Sequence, residues 1–157
     1  MNLKLDKSKA IEAYKNGDDA IKSFLIDAYG ADVFITDIKE RVTSYESACA
    51  ILGRKALTLK DFEFLGESQS KRQFARHKIA TGIEAINEGW VADFENEDQY
   101  KYYVWMYNKK RGFSFGVDSY FSRVIAGSDL YAETREKAEI IAKVFLEDYK
   151  IYLYGYK

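Results

Sequence analysis

The stretch that decides the fold is YKYYVWMY, residues 100–107. It is dominated by aromatic and β-branched residues, a composition that favours a β-strand. A second run, FSFGV at 113–117, alternates apolar residues with small or polar ones, as a strand with one polar face does. The basic segment 108–112 separates the runs and predicts a turn. With shorter strands expected over Ser119–Ile125 and Leu130–Ala132, the sequence predicts an antiparallel meander of three to four strands.

The first strand is apolar or aromatic on both faces, which bears on function. A helix packed on the sheet covers only one face, so the other face either packs within the chain or meets a partner. Both readings stay open at this point. The residues predicted for an interaction surface are Tyr103, Trp105, Tyr107, Phe113 and Phe115.

Signals for short helices fill the chain before residue 93. Asp6 and Asp18 stand where N-caps are expected, because their carboxylates accept the free N–H groups of a first helical turn. Ser or Thr followed three residues later by Glu or Gln marks a capping box, and an Asp in that place gives a similar start. Such pairs occur at Thr43–Glu46, Thr58–Asp61 and Ser70–Gln73, and helix stops are expected at Gly17, Gly30, Gly53, Gly66 and Gly89.

After the strands, Thr134 is expected to cap a long C-terminal helix. Its apolar residues recur at helical spacing, so one face of this helix is expected to pack on the sheet. The predicted fold class is therefore α+β: a bundle of short N-terminal helices, then the antiparallel meander with the C-terminal helix on it. We expect a single domain over 1–157, with a helical half at 1–92 and the sheet and last helix at 93–157.

Composition excludes several classes of protein. The 157 residues carry 24 Lys plus Arg and 25 Asp plus Glu, a net charge of −1, which argues against a wholesale binder of polyanions. One Cys and one His cannot build a disulfide framework or a His- or Cys-rich metal site, so no metal and no cofactor is expected. Without a long apolar run, we expect a soluble protein of a reducing compartment that does not contact a membrane.

Candidate catalytic residues are few. Cys49 falls on the apolar stripe of a predicted helix, so a buried, unreactive thiol is expected. His77 lies between Arg76 and Lys78 and is predicted to be solvated, with no neighbour that completes a triad. The acidic run 93–98 has the spacing of a calcium loop at its start, but it lacks the glycine and the final glutamate that such a loop needs. A non-enzymatic protein is therefore predicted.

A basic cluster keeps nucleic-acid binding open as an alternative. No acidic residue occurs between Ser68 and Ile83, and basic residues four apart on one helix face suit a phosphate backbone. The turn at 109–111 adds three further cations. The residues predicted as nucleic-acid contacts are Lys71, Arg72, Arg76, Lys78, Lys109, Lys110 and Arg111.

Three stretches together resemble a family of small uncharacterised proteins encoded by phages and prophages of Bacteroidetes-type bacteria. They are IKERVTSYESACAILG at 38–53, AINEGW at 85–90, and the C-terminal part with ETREKAE at 133–139 and FLEDYK at 145–150. The resemblance spans most of the chain, although the strand region is shorter here. It implies a phage origin, and it implies no activity and no catalytic residues.

The sequence thus favours a non-enzymatic phage interaction or structural protein, located in the virion or in the host cytoplasm. It is expected to self-associate or to bind a protein through the aromatic strand. One alternative is a nucleic-acid-binding accessory protein that uses the basic helix 71–78. Another is a counter-defence protein that blocks a host effector or sequesters a nucleotide signal, since aromatic rings stack on bases.

Overall fold

A computed structural model describes residues 7–30, 33–34, 37–109, 112–121 and 129–155. The chain has two compact units, residues 1–41 and 42–157, so the helical half predicted over 1–92 contributes to both. None of the helices in these described ranges is long and apolar enough to span a lipid bilayer.

The first unit contains three α-helices within its described residues. They are α1 (Lys7–Asn16), α2 (Asp19–Tyr29) and α3 (Ile38–Arg41). Asp18 caps α2 as predicted, because its Oδ1 accepts a 2.9 Å hydrogen bond from the N–H of Ile21. The cap predicted at Asp6 lies outside the described residues. Ala10, Leu25 and Phe34 form the core of this unit, with Tyr14 stacked on Phe34 at 4.5 Å between ring centroids.

The second unit begins with α4 (Tyr45–Ile51), whose N-terminal cap differs from the prediction. The capping box predicted at Thr43–Glu46 is wrong, since Ser44 and Ser47 form it instead. Ser47 N–H donates to Ser44 Oγ at 3.1 Å, and Ser47 Oγ accepts from Ser44 N–H at 2.9 Å. A serine at the third helical position closes the box because its hydroxyl reaches the same backbone N–H that a glutamate would.

Two further helices follow, a 3₁₀ helix (Leu59–Leu65) and the long helix α5 (Glu67–Asn87). The predicted start at Thr58 is confirmed, and Asp61 Oδ2 accepts from Thr58 N–H at 2.7 Å. The start predicted at Ser70 is wrong, because α5 begins three residues earlier. Ser70 is buried, and its Oγ donates to the carbonyl oxygens of Phe62 and Gly66, so it fastens α5 to the 3₁₀ helix.

The sheet has three antiparallel strands: β1 (Lys101–Lys109), β2 (Gly112–Tyr120) and β3 (Tyr131–Ala132). Their order is β2-β1-β3, so β1 is central, whereas a sequential meander would place β2 there. The separate strand predicted over Ser119–Ile125 is not seen as such. Its first two residues belong to β2, which is longer than expected, and residues 122–125 lie outside the described ranges. The short strand predicted near Leu130 is confirmed.

Two helices end the unit, α6 (Arg135–Val144) and α7 (Leu146–Tyr154). Thr134 caps α6 as predicted. The single long helix expected here is divided at Phe145, which has φ −106° and ψ 24°. Phe145 is fully buried against α5. Its ring lies beside Gly82, so close that a Cβ on Gly82 would overlap it. The α+β class is confirmed, with the C-terminal helices on the antiparallel sheet.

The core of the second unit surrounds α5. This helix contacts α4, the 3₁₀ helix, α6, α7 and β3. Because Gly82 has no side chain, α5 and the α6–α7 junction approach closely, and the ring of Phe145 fills the space. Fully buried side chains in this core include Ile79, Ile86, Ile141 and Phe145.

Candidate functional site

The register between β1 and β2 decides which aromatic residues share a surface. Directly opposed residues of an antiparallel pair point to the same face, and the face alternates along each strand. Trp105 is opposite Gly116, while Phe115 is opposite Met106. Tyr103, Trp105 and Tyr107 therefore lie on one face, as predicted. Grouping Phe113 and Phe115 with them was wrong, because those two rings lie on the opposite face.

The face with Phe113 and Phe115 is the one that the C-terminal helices cover. The ring of Phe113 packs edge-to-face against Tyr154 of α7, with 5.5 Å between centroids. The guanidinium of Arg135, at the start of α6, lies 6.0 Å from the ring centroid of Tyr102. Arg135 also donates a 2.8 Å hydrogen bond to the carbonyl oxygen of Val117 in β2. These contacts assign Phe113 and Phe115 to intramolecular packing.

The other face carries the rings of Tyr103, Trp105, Tyr107 and Tyr120, which we call the aromatic face. The indole of Trp105 lies on the backbone of Gly116, so close that a Cβ there would be 2.5 Å from two indole carbons. Tyr107 packs beside it at 5.0 Å between centroids. Although these contacts fix its position, 45% of Trp105 remains exposed. A glycine inside a strand pattern signals close approach of another group, and Gly116 was the available signal for this arrangement.

A tyrosine pair continues the aromatic face toward the start of β1. Tyr103 and Tyr120 stack with 5.0 Å between centroids and 7° between ring planes. A hydrogen bond with Tyr120, together with burial, raises the pKa of Tyr103 to about 12. The Tyr103 hydroxyl therefore stays protonated well above physiological pH.

The end of the sheet beside this face is held by a buried lysine that the sequence reading missed. Lys101 has no exposed surface, and its ammonium donates to the carbonyl oxygens of Asn96, Gln99 and Phe121 at 3.0, 2.8 and 2.6 Å. All three of its N–H donors thus have an acceptor. The segment 93–98, which we call the acidic loop, is therefore fixed to β1 through its own backbone.

The predicted nucleic-acid contacts do not form one free basic surface. Lys71 pairs with Glu67 at 2.8 Å, Arg76 pairs with Asp129 at 2.7 Å, and Lys78 pairs with Asp148 of α7. The guanidinium of Arg72 lies beside Gly155, at the end of α7. Lys110 and Arg111 lie outside the described residues, and the side chain of Lys109 is not described. A phosphate would have to displace carboxylates from three of the seven predicted cations.

The one histidine is half-buried in a cluster of aromatic rings, so its predicted solvation is wrong. His77 Nε2 is 3.2 Å from Tyr45 Oη, and its ring contacts Tyr45 and Phe62. Tyr45 Oη also accepts from Leu57 N–H at 2.8 Å, and burial raises the pKa of Tyr45 to about 12. Cys49 is buried as predicted. Periodicity placed His77 on the polar side of α5, but the 3₁₀ helix covers that side, and no local pattern signals this.

We expect the free energy of unfolding to fall as pH is lowered from about 7.5 to about 5.5. Burial, and then the charge of Arg54, lower the pKa of His77 in the folded chain. The unfolded chain therefore takes up this proton first. The contribution of uncharged His77 to the free energy of unfolding is fully present above the ordinary histidine pKa of about 6.5. It is lost as the pH falls through the lowered pKa of the folded chain. His77→Gln should flatten this part of the profile in urea denaturation. If stability depended on pH in the same way in the wild type and in His77→Gln, the effect would not come from His77.

Among the described residues, no group of three or more His, Cys, Asp or Glu side chains is placed to hold a metal ion. Comparisons with protein families, curated proteins and solved structures found no match to this chain. The resemblance to phage-encoded proteins therefore stays a prediction, and the case for function rests on the geometry of the aromatic face.

Proposed function

We propose that this protein is a non-enzymatic binding protein that engages a protein partner through the aromatic face. The observation that carries the proposal is Trp105, which Gly116 and Tyr107 hold in one position while nearly half of its surface stays exposed. A fixed, exposed tryptophan loses little conformational entropy when a partner covers it. Trp and Tyr are also the residues that contribute most to protein–protein interfaces.

The charges around the aromatic face favour a protein over a nucleic acid. In β1 and β2, the positions between Tyr103 and Tyr107 on this face carry no cation, and the exposed carboxylate of Asp118 lies opposite Tyr103. A stacked nucleotide would bring its phosphates toward that carboxylate. The paired cations of α5 likewise count against the basic-helix alternative. The resemblance to phage-encoded proteins supplies the setting: a partner in the virion or in the infected cell.

Trp105→Ala is expected to weaken the association at least about tenfold, since interface tryptophans commonly contribute 2 kcal/mol or more. Light scattering on the purified protein reports self-association. Capture with the immobilised chain, from cells in which the protein is made, reports another partner. Gly116→Val serves as a second variant, because it displaces the indole without removing it.

The matched control is Phe64→Ala, which removes a ring that is 82% exposed on the 3₁₀ helix. It should leave the association unchanged, and circular dichroism should show all three variants folded. A monomeric wild-type protein that captures nothing contradicts the proposal. So does a Trp105→Ala variant that binds as strongly as the wild type.

A further inference from the structure

The dimensions of the aromatic face suit an extended ligand. Tyr103, Trp105 and Tyr107 are alternate residues of β1, so their side chains follow one another along a single line. At about 3.4 Å per residue, this line of rings is about 14 Å long. A polyproline II helix rises about 3.1 Å per residue, so four or five of its residues would cover the whole line.

Trp105 offers a hydrogen-bond donor that has no acceptor. Within the described part of the chain, the indole N–H of Trp105 makes no hydrogen bond. The indole nitrogen is a donor only, so it can be satisfied only by an acceptor. A partner that covers Trp105 must therefore bring an acceptor to this N–H, or leave a polar group unsatisfied in the middle of the interface.

The backbone of the ligand decides which kind of segment can supply that acceptor. The N–H and C=O groups of a sheet point toward neighbouring strands, so the aromatic face offers side chains alone. A strand laid on it would lose water from its own N–H groups without gaining acceptors, and a helix uses its carbonyl oxygens internally. A proline-rich segment directs its carbonyl oxygens outward and has no N–H on its prolines, so it accepts from the indole at no such cost.

The rings of the aromatic face hold their positions before a ligand binds. Trp105 rests on the backbone of Gly116 and packs beside Tyr107, while Tyr103 stacks on Tyr120. A polyproline II segment is itself stiff, so neither side loses much conformational entropy on binding. Proline-rich segments bind aromatic surfaces in other proteins for the same reason.

Asp118 adds a negative charge at one end of the line of rings. It is exposed and lies directly opposite Tyr103, on the aromatic face. Its Oδ1 accepts from Ser119 N–H at 2.8 Å, and it forms no ion pair with another described residue. A carboxylate in this position attracts an Arg or Lys that flanks the prolines, and it repels an acidic flank.

We propose that the aromatic face binds a proline-rich segment in the polyproline II conformation, with Arg or Lys beside the prolines. The inference rests on the proposed function, since it names the kind of partner that the same face takes. The 157 residues contain no proline, so a second copy of them cannot supply the segment.

The emission of Trp105 locates the contact directly. In a Trp90→Phe variant, Trp105 is the only tryptophan. The probe is a synthetic peptide of eight prolines with an arginine at each end, and we expect it to change this emission saturably, with a Kd below about 1 mM. A peptide of equal length and charge, with alternating glycine and serine in place of the prolines, should bind at least about tenfold more weakly, because it is flexible and carries N–H groups that lose water.

Variants measured by titration calorimetry test the two contacts separately. Trp105→Ala should weaken binding of the proline peptide at least about tenfold. Asp118→Asn should weaken it about threefold or more, and should not change the affinity for the same peptide with glutamine ends. The matched control is Glu63→Gln, which removes an exposed carboxylate from the 3₁₀ helix and should change neither affinity. Circular dichroism checks folding, and Asp118→Asn, at the surface, gives a test that does not depend on Trp105→Ala.

Three results would overturn the inference. The first is no response of Trp105 to the proline peptide at millimolar concentration. The second is equal affinity for the glycine–serine peptide, which would show a surface that does not select polyproline II. The third is equal affinity of the wild type for the arginine and glutamine peptides, which would remove the charge match with Asp118. If any of these occurs while Trp105→Ala still abolishes capture or self-association, the choice of partner is wrong and the proposed function stands. A chain that binds no peptide, captures nothing and stays monomeric contradicts both.

Discussion

Lys101→Met is expected to lower the free energy of unfolding by about 3 kcal/mol, since hydrogen bonds to a charged group contribute about 1.5–3 kcal/mol and a buried acceptor left without a donor costs about 1–3 kcal/mol. Methionine matches the length of lysine but leaves three carbonyl oxygens, those of Asn96, Gln99 and Phe121, without their donor. The ammonium position is fully buried, so water can replace it only if the surrounding chain opens. The acidic loop should also separate from β1, because the ammonium is what joins them.

Urea denaturation followed by circular dichroism measures this effect. Lys143→Met is the control, because Lys143 is exposed near the end of α6 and should change stability by less than about 0.5 kcal/mol. Hydrogen exchange should localise the damage in Lys101→Met to residues 93–101. A loss below about 1 kcal/mol would mean that water replaces the ammonium freely, contrary to the burial of Lys101.

The effect of Gly82→Ala on the free energy of unfolding is expected to change sign when the ring of Phe145 is removed. In the wild type it should destabilise by about 1–3 kcal/mol, because the new methyl group overlaps the ring of Phe145. That cost exceeds the gain of about 1 kcal/mol in helix propensity. Phe145→Ala alone should cost about 3–5 kcal/mol by leaving a cavity. In that variant, Gly82→Ala should stabilise, since the overlap is gone and the methyl group fills part of the space.

A double-mutant cycle from denaturation midpoints gives the coupling between the two sites. Gly66→Ala provides the comparison at a glycine with open space around it, where the φ of 78° makes any side chain unfavourable in both backgrounds. If Gly82→Ala destabilises equally with and without the Phe145 ring, the ring is not what excludes a side chain there.

The elements of the fold were predictable because their signals are local. Alternation in 113–117 and the aromatic run 100–107 gave two strands, and Asp18 and Thr134 gave two helix starts that the structure confirms. These patterns act within a few residues, so no knowledge of the rest of the chain is needed. The same locality explains the wrong start at Ser70, whose hydroxyl is used by the neighbouring 3₁₀ helix.

The candidate surface was predictable only in part. Each strand indicates its own two faces, but only the register tells which face of β2 joins which face of β1. That register sets Lys109 opposite Gly112, and it puts Phe113 and Phe115 under the helices.

The hydrogen bond from Arg135 to Val117 has a consequence for solubility. Backbone groups of alternate residues in the edge strand β2 point away from β1, and Val117 O is one of them. An aromatic edge strand of this length is a ready template for a strand from another molecule, and proteins commonly protect such edges. Arg135 occupies one carbonyl oxygen of this outward row, near its middle, so a foreign strand that paired along all of β2 would have to displace it. Within the described residues, this hydrogen bond makes the edge of β2 less open to pairing with another molecule than its aromatic sequence alone indicates.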